Sequence, residues 1–306
     1  MNFVPAPALA KIALLVLSGL LAAAALRRTP AHARHDVWLL VVTGTAVLPL
    51  AGLVLPAVFF KVPASWALLA APSRRGVELI ALVWAAGALV TALRFATGLL
   101  VLRRIGADTP ALRLPDVPAA LAAATRLAGL TRPVRLLVSA EVRVPATWGV
   151  RRPVVALPAA AARWSAERLR LVLLHELLHV RRRDVLVECF VEAVTVAFWF
   201  HPAVWLATRQ LRLERERACD EAVLATGARA SDYCEHLVEI MRAAARGPGL
   251  VVAAGMAVPS TLEYRVRALL AAPTTPRRFR LLPVVLAAGA VAIYALGTLT
   301  PCVSGW

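Results

Sequence analysis

The sequence predicts a mainly α-helical integral membrane protein, with about four transmembrane helices and an α+β domain inserted between the third and the fourth. Three observations carry this. The 306 residues are 60% hydrophobic with a mean hydropathy of +0.70, above the roughly 45–50% apolar content of soluble domains. The apolar residues gather in runs long enough to cross a hydrocarbon core about 30 Å thick. Between the third and fourth runs lies a long, polar, Arg-rich stretch with helix and strand signals of its own.

The first run, Ala6 to Leu26, contains only Lys11 and is followed at once by RRTPAHARHD. A signal peptide has its basic residues ahead of the apolar run, so this charge order predicts an uncleaved anchor with its C-terminal end in the cytoplasm. Val37 to Phe60 and Leu79 to about Leu102 are the second and third spans. Arg94 interrupts the third and is expected to face the helix bundle or to snorkel to the inner interface. Leu281 to Leu299 is the fourth. The chain thus divides into a three-helix membrane region (1–102), a polar domain (103–280), and a fourth helix with a short tail (281–306).

Net charge is +17, nearly all of it Arg, since Lys11 and Lys61 are the only lysines. The positive-inside rule puts Arg103 to Arg280 in the cytoplasm and, after three spans, both termini outside. Cytoplasmic retention and attraction to anionic lipid account for the basic excess. No nucleic-acid motif accompanies it, so direct nucleic-acid binding is not expected. The four cysteines show no C-x-x-C spacing and no secreted framework, and the three in the Arg-rich part are expected to be reduced thiols.

Inside the polar domain, Pro118 to Ala128 reads as a helix and Val134 to Ser139 as a strand. VPATWGVRRPVVALP, Val144 to Pro158, reads as a short turn leading into a strand at Pro153 to Leu157, whose flanking prolines predict an edge or terminating position. Ser165 is the expected N-cap of the next helix. Val185 to Leu206 is apolar enough to cross a membrane by hydropathy, but it carries Glu188, Glu192 and His201, and a crossing would separate the helices on either side of it. It is expected to pack against the domain or lie at the interface, with Trp199, Phe200 and Trp205 at headgroup level.

The chemistry sits in LVLLHELLHVRRRD, Leu171 to Asp184. His175, Glu176 and His179 form H-E-x-x-H, which puts both imidazoles on one helix face a turn apart, where they can hold one Zn²⁺. Glu176 is then placed to take a proton from a metal-activated water. A catalytic zinc needs a third protein ligand. A histidine six residues after the second ligand is excluded, because that position is Val185. The candidate is Glu216, in the helix Arg209 to Val223, with Asp220 one turn on and able to accept the outer N–H of a ligand histidine. Asp184 is a second candidate for that supporting role. Cys219 and the more remote His201 rank below Glu216 as ligands. Glu214, Arg215, Arg217 and Glu221 read as a solvated charged face.

HELLHVRRRD, FWFHPAVW and RLERERACDEAV, in that order, resemble the BlaR/MecR type of membrane-bound bacterial metallopeptidase, and the resemblance extends to VPATWGVRRPVVALP and to YRVRALL around Tyr264. It implies a gluzincin-like zinc protease core in the cytoplasm of a bacterial cell-membrane protein. His175, His179 and Glu216 are then on zinc and Glu176 is the base. It also implies that an external signal, typically a β-lactam, activates the protease and leads to cleavage of a cytoplasmic repressor. The best-known members carry an external penicillin-binding sensor after the last span. Here few residues follow Leu299, and neither lysine has a serine three residues before it to make S-x-x-K. Direct covalent β-lactam sensing is therefore not expected; a separate sensor protein, or the outer loop Lys61 to Arg75 with the bundle, takes that part.

The resulting expectation is a membrane-embedded zinc endopeptidase that signals by cleaving a cytoplasmic regulatory protein such as a DNA-binding repressor. The alternatives are a quality-control protease resembling the HtpX type and a non-catalytic membrane scaffold. Expected partners are a protein or peptide substrate, the lipid bilayer, a separate sensor and, in a homo-oligomer, a second copy of the chain. Tyr233, His236 and His201 are the candidate donors to the oxyanion.

Overall fold

A computed structural model of the chain describes residues 6–54, 58–62, 73–108, 117–246, 259–271, 289, 295 and 298–303. It is mostly helical, and the chain divides into two compact units. The fourth predicted span, Leu281 to Leu299, lies outside the described residues but for isolated positions, and so does most of the loop Lys61 to Arg75.

The first unit comprises Met1–Ala92, Val191–Glu214 and Thr274–Trp306. Helices α1 (Ala6–Ala25) and α2 (Ala31–Val54) pack as a hairpin. Gly19 permits their approach, since a Cβ there would lie 2.7 Å from Val41 and 3.3 Å from the Trp38 ring. The turn between them is pinned from within: the Thr29 hydroxyl donates to the Leu26 carbonyl at 2.7 Å, and buried Arg34 reaches back to the carbonyls of Leu26 and Thr29. Arg34 also pairs with Glu214 at 2.9 Å. Strand β1 (Val58–Val62) lies parallel to β5 (Leu299–Val303). Helix α3 (Arg74–Asp108) begins in this unit. Its stretch Arg74–Ala107, with an 18-residue window of mean hydropathy 2.0, is the one helix among the described residues long and apolar enough to cross a membrane. Arg94 is exposed on it. His201 lies in this unit with Nε2 3.1 Å from the Leu9 carbonyl.

The second unit comprises Leu93–Phe190 and Arg215–Pro273. Its elements are α4 (Val117–Ala128), β2 (Arg135–Ser139), β3 (Ala146–Trp148), β4 (Val154–Pro158), a 3₁₀ turn (Ala159–Arg163), α5 (Ala166–Arg182), the first part of α6 (Asp184–Ala197), the last part of α7 (Pro202–Leu224), α8 (Ala230–Arg246) and α9 (Pro259–Leu270). The sheet order is β2-β4-β3, with β2 and β4 parallel and β3 and β4 antiparallel.

One strand expectation is corrected and another is narrowed. The segment read as a turn before Pro153 contains the strand β3, and β4 is the central strand of this sheet, so of the edge or terminating position expected from its prolines it is the terminating one that holds. The prolines permit this because Pro153 precedes the ladder and Pro158 ends it, so no interior N–H is lost. The Pro153 carbonyl even accepts from the Arg135 N–H at 2.9 Å. Gly149 makes the β3–β4 connection with φ +87°, where a Cβ would also strike the Arg152 carbonyl.

Helix α5 is buried on nearly all sides from Leu171 to Val180, which is why its sequence is leucine-rich around the whole circumference and not along one stripe. Leu171, Leu173, Leu174 and Leu177 join Val155, Leu157 and Tyr233 in the main core. Ser165 caps the helix, accepting from the Arg168 N–H, and Arg183 ends it in the left-handed conformation with φ 59°.

Candidate metal centre

His175 and His179 leave α5 one turn apart, and their Nε2 atoms face each other at 3.1 Å. Glu216 of α7 completes the group, with carboxylate oxygens 3.6 Å from His175 Nε2 and 3.8 Å from His179 Nε2. All three side chains are buried. The outer nitrogens are held by acids. His179 Nδ1 is 2.7 Å from Asp184. His175 Nδ1 is 2.9 Å from the Tyr233 hydroxyl and 3.3 Å from Asp220, while that hydroxyl donates to Asp220 at 2.9 Å. With each Nδ1 donating its proton outward, both Nε2 lone pairs point at one place, where a metal ion or, in its absence, a proton satisfies them. The separations of 3.1, 3.6 and 3.8 Å are close to the roughly 3.3 Å edge of a tetrahedron with zinc-to-nitrogen arms of about 2.0–2.1 Å. Two imidazoles and a carboxylate are a donor set that zinc accepts.

Around this group the charges alternate. Arg265 forms a two-pronged pair with Asp220, at 2.8 Å from Nε and 2.7 Å from Nη2, and its Nη1 is 3.5 Å from Glu216. Arg215 lies between Glu188, at 2.5 Å, and Glu216, at 3.3 Å. The solvated face expected at Glu214 and Arg215 is therefore corrected, because each is buried against its own ion partner. Arg217 donates to the Tyr264 hydroxyl at 2.8 Å.

Burial disfavours the charged form of His175, but hydrogen bonds to Asp220 and Glu216 outweigh it and raise the imidazole to about 9. Burial would raise Glu216; instead His179, His175, Arg265 and Arg215 hold it well below the ordinary carboxylate range. Asp220 is lowered in the same way, burial opposing and Arg265 and His175 prevailing. Burial beside the acids pushes the Cys219 thiol well up. Its sulfur lies behind the site, 3.5 Å from His179 Nδ1 and 3.9 Å from Asp184, so it forms with them a second cluster and stands away from the facing Nε2 pair.

Glu176 faces the same open cavity, which is also lined by Val144, Val172, Ile240, Met241 and Arg265. The Thr147 hydroxyl of β3 donates to its carboxylate at 2.6 Å. Of the residues weighed as oxyanion donors, Tyr233 has its proton committed to Asp220, and His236 sits with Nδ1 3.2 Å from Arg168 Nε. Sequence reasoning did not name Thr147 or Arg265, and it named Glu188 and Arg215 only as charges in an apolar stretch and on a solvated face. For Thr147 and Arg265, only their place in VPATWGV and YRVRALL could have drawn attention to them.

The model of the BlaR1 peptidase M56 family matches residues 61–269. The chain belongs to that family. It is a BlaR/MecR-type protein, as HELLH, FWFHPAVW and ERACD imply. The regulatory protein BlaR1 of Bacillus licheniformis is 40% identical over 85 residues, which is 28% of this chain and 14% of that protein. The methicillin resistance mecR1 protein of Staphylococcus aureus is 24% identical over 92 residues, 30% of this chain and 16% of the relative. The chain thus aligns with about one seventh of the length of these relatives.

Proposed function

We propose that the protein is a membrane-embedded zinc endopeptidase that transduces a signal by cleaving a cytoplasmic regulatory protein, such as a DNA-binding repressor. The observation that carries this is the convergence of His175, His179 and Glu216 beside a cavity in which Thr147 holds Glu176. Membership of a peptidase family supports it, and so do relatives named as a regulatory protein and a resistance protein.

In this reading residues 1–102 carry three spans, 103–280 a gluzincin-like protease domain on the cytoplasmic side of a bacterial cell membrane, and 281–306 a fourth span. Both termini are external. The chain can act as a homo-oligomer. The outer partners Asp184 and Asp220 orient the two histidines, Asp220 acting in part through Tyr233.

Zinc, when bound, supplies a Lewis acid that polarises the scissile carbonyl and acidifies a water. Glu176 takes the proton of the attacking water and passes it to the leaving amine. Thr147 fixes the carboxylate oxygen that is not in use, so the other keeps one orientation. Arg265 is held by Asp220 through two of its nitrogens, which leaves Nη1 on the cavity wall as a cationic donor for the developing oxyanion. The edge strand β3, beside α5, offers its free side to an extended substrate.

The test is Glu176→Gln in full-length protein reconstituted with a candidate repressor. Zinc retained with cleavage lost supports the assignment, whereas cleavage at the wild-type rate contradicts it.

A further inference from the structure

The turn between α6 and α7 pairs several of its own polar groups where water or headgroups would not require it. The Phe198 N–H donates to the Val194 carbonyl at 2.9 Å, the His201 N–H to Phe198 at 2.9 Å, and the Val204 N–H to His201 at 3.1 Å. The carbonyls are met by indoles. Trp84 Nε1 donates to Ala197 at 3.0 Å, Trp205 Nε1 to Trp199 at 2.7 Å, and Trp199 Nε1 back to the Trp84 carbonyl on α3 at 3.1 Å. A Cβ at Gly87 would collide with the Trp199 ring, so the glycine is what lets the indole lie against α3. Tryptophan at a headgroup boundary uses its N–H on lipid or water. Here all three N–H groups are spent on backbone, while Trp84, Phe200 and Trp205 remain 45%, 43% and 40% exposed.

Position along α3 sets the depth. Trp84 is ten residues, about 15 Å of helix, from Arg94, the first charge towards the cytoplasmic end, and six residues, about 9 Å, from Glu78 on the other side. Exposed Arg94 is held near headgroup level, which leaves Trp84 within the hydrocarbon. The sixteen residues between Glu192 and Arg209 carry no Asp, Glu, Lys or Arg, and the charges below them are joined across the hairpin, Arg212 to Glu192 at 2.7 Å.

We propose that the turn Phe198–His201 is inserted in the hydrocarbon core of the bilayer at the level of Trp84. Residues 191–208 are then a re-entrant hairpin, entering and leaving on the cytoplasmic face, whose exposed aromatic rings meet lipid acyl chains. The inference rests on the reading that α3 crosses the bilayer and goes beyond it by placing the chain between His179 and Glu216. It replaces headgroup-level packing of Trp199, Phe200 and Trp205. Irregular backbone at such depth is tolerated only where its polar groups are satisfied internally. Here the Phe198 and His201 N–H groups and the Ala197, Phe198, Trp199 and His201 carbonyls are paired. His201 Nε2 meets the Leu9 carbonyl at 3.1 Å, while its Nδ1 is buried without a partner among the described residues.

The experiment is spin-label depth measurement on the full chain in phosphatidylcholine–phosphatidylglycerol bilayers, with native cysteines replaced and one nitroxide at Phe200→Cys, Val83→Cys or Ser73→Cys. Collision with oxygen and with a water-soluble nickel chelate is compared. The expected result is oxygen-rich, nickel-poor contact at 200 matching that at 83, with 73 reached by nickel. A deep label at 83 and a nickel-accessible one at 200 overturns the hairpin alone. Nickel access at both overturns the α3 span as well. Should the cysteine-free chain fail to fold, the fluorescence difference between wild type and Trp205→Phe is read in lipids brominated near the chain end or near the headgroup. Stronger quenching by the deep bromines supports the proposal, and stronger quenching by the shallow ones overturns it.

Discussion

His175 and Asp220 are joined twice, directly at 3.3 Å and through the Tyr233 hydroxyl at 2.9 Å on either side. The double link holds the imidazole with Nε2 turned towards His179 and Glu216, and it raises His175 to about 9 once burial has been outweighed.

A raised histidine makes the metal-free site a proton site. Below pH 9 the proton on His175 occupies the place between the two Nε2 atoms, so zinc binding must release it. Apparent zinc affinity is expected to fall about tenfold per pH unit below 9. Calorimetry in buffers of different ionisation enthalpy should find about one proton released per zinc near neutrality; no release contradicts the site.

The same group links pH to stability in the metal-free protein. Its folded value of about 9 lies above the ordinary 6.5, so its contribution is fully present below pH 6.5 and is lost as pH rises through 9. Asp184 is lowered, burial opposing and His179 prevailing. Its contribution is present above the ordinary carboxylate range and lost as the pH falls below it. Thermal unfolding of the metal-free chain should therefore weaken at both ends of the pH scale.

Arg265→Ala leaves Asp220 buried without its cation, and breaking a buried pair costs about 3–5 kcal/mol. The variant is expected to unfold earlier and to hold zinc more weakly. Arg265→Lys keeps the charge but loses the two-pronged geometry, so it should recover most of the stability and little of the cleavage rate. Equal recovery of both would confine Arg265 to a structural part.

Thr147→Val removes the hydroxyl from the Glu176 carboxylate while preserving shape. A hydrogen bond to a charged group is worth about 1.5–3 kcal/mol, so cleavage should slow by about 10- to 150-fold with zinc content unchanged. Wild-type turnover in this variant would show that Glu176 needs no such support.

The sequence made α5 legible because its signals are local: a serine cap, two histidines and a glutamate at helical spacing, and leucines on every side. Glu216 was legible as a carboxylate on a later helix. Thr147 and Arg265 were not, since their meaning comes only from tertiary contact with residues 29 and 45 positions away. Glu214 and Arg215 read as solvated because alternating charge on a helix usually is; burial reversed that by supplying Arg34 and Glu188 as partners. The place of β4 in the sheet stayed open in the sequence because prolines at strand ends resemble prolines at sheet edges.

Zinc stoichiometry on purified full-length protein bears most directly on the account. Wild type and Glu176→Gln are expected to hold about one zinc per chain, and His175→Ala and Glu216→Ala to lose it. A folded wild-type chain that takes up no zinc when metal is supplied, or a Glu216→Ala variant with zinc content unchanged, would contradict the proposed centre.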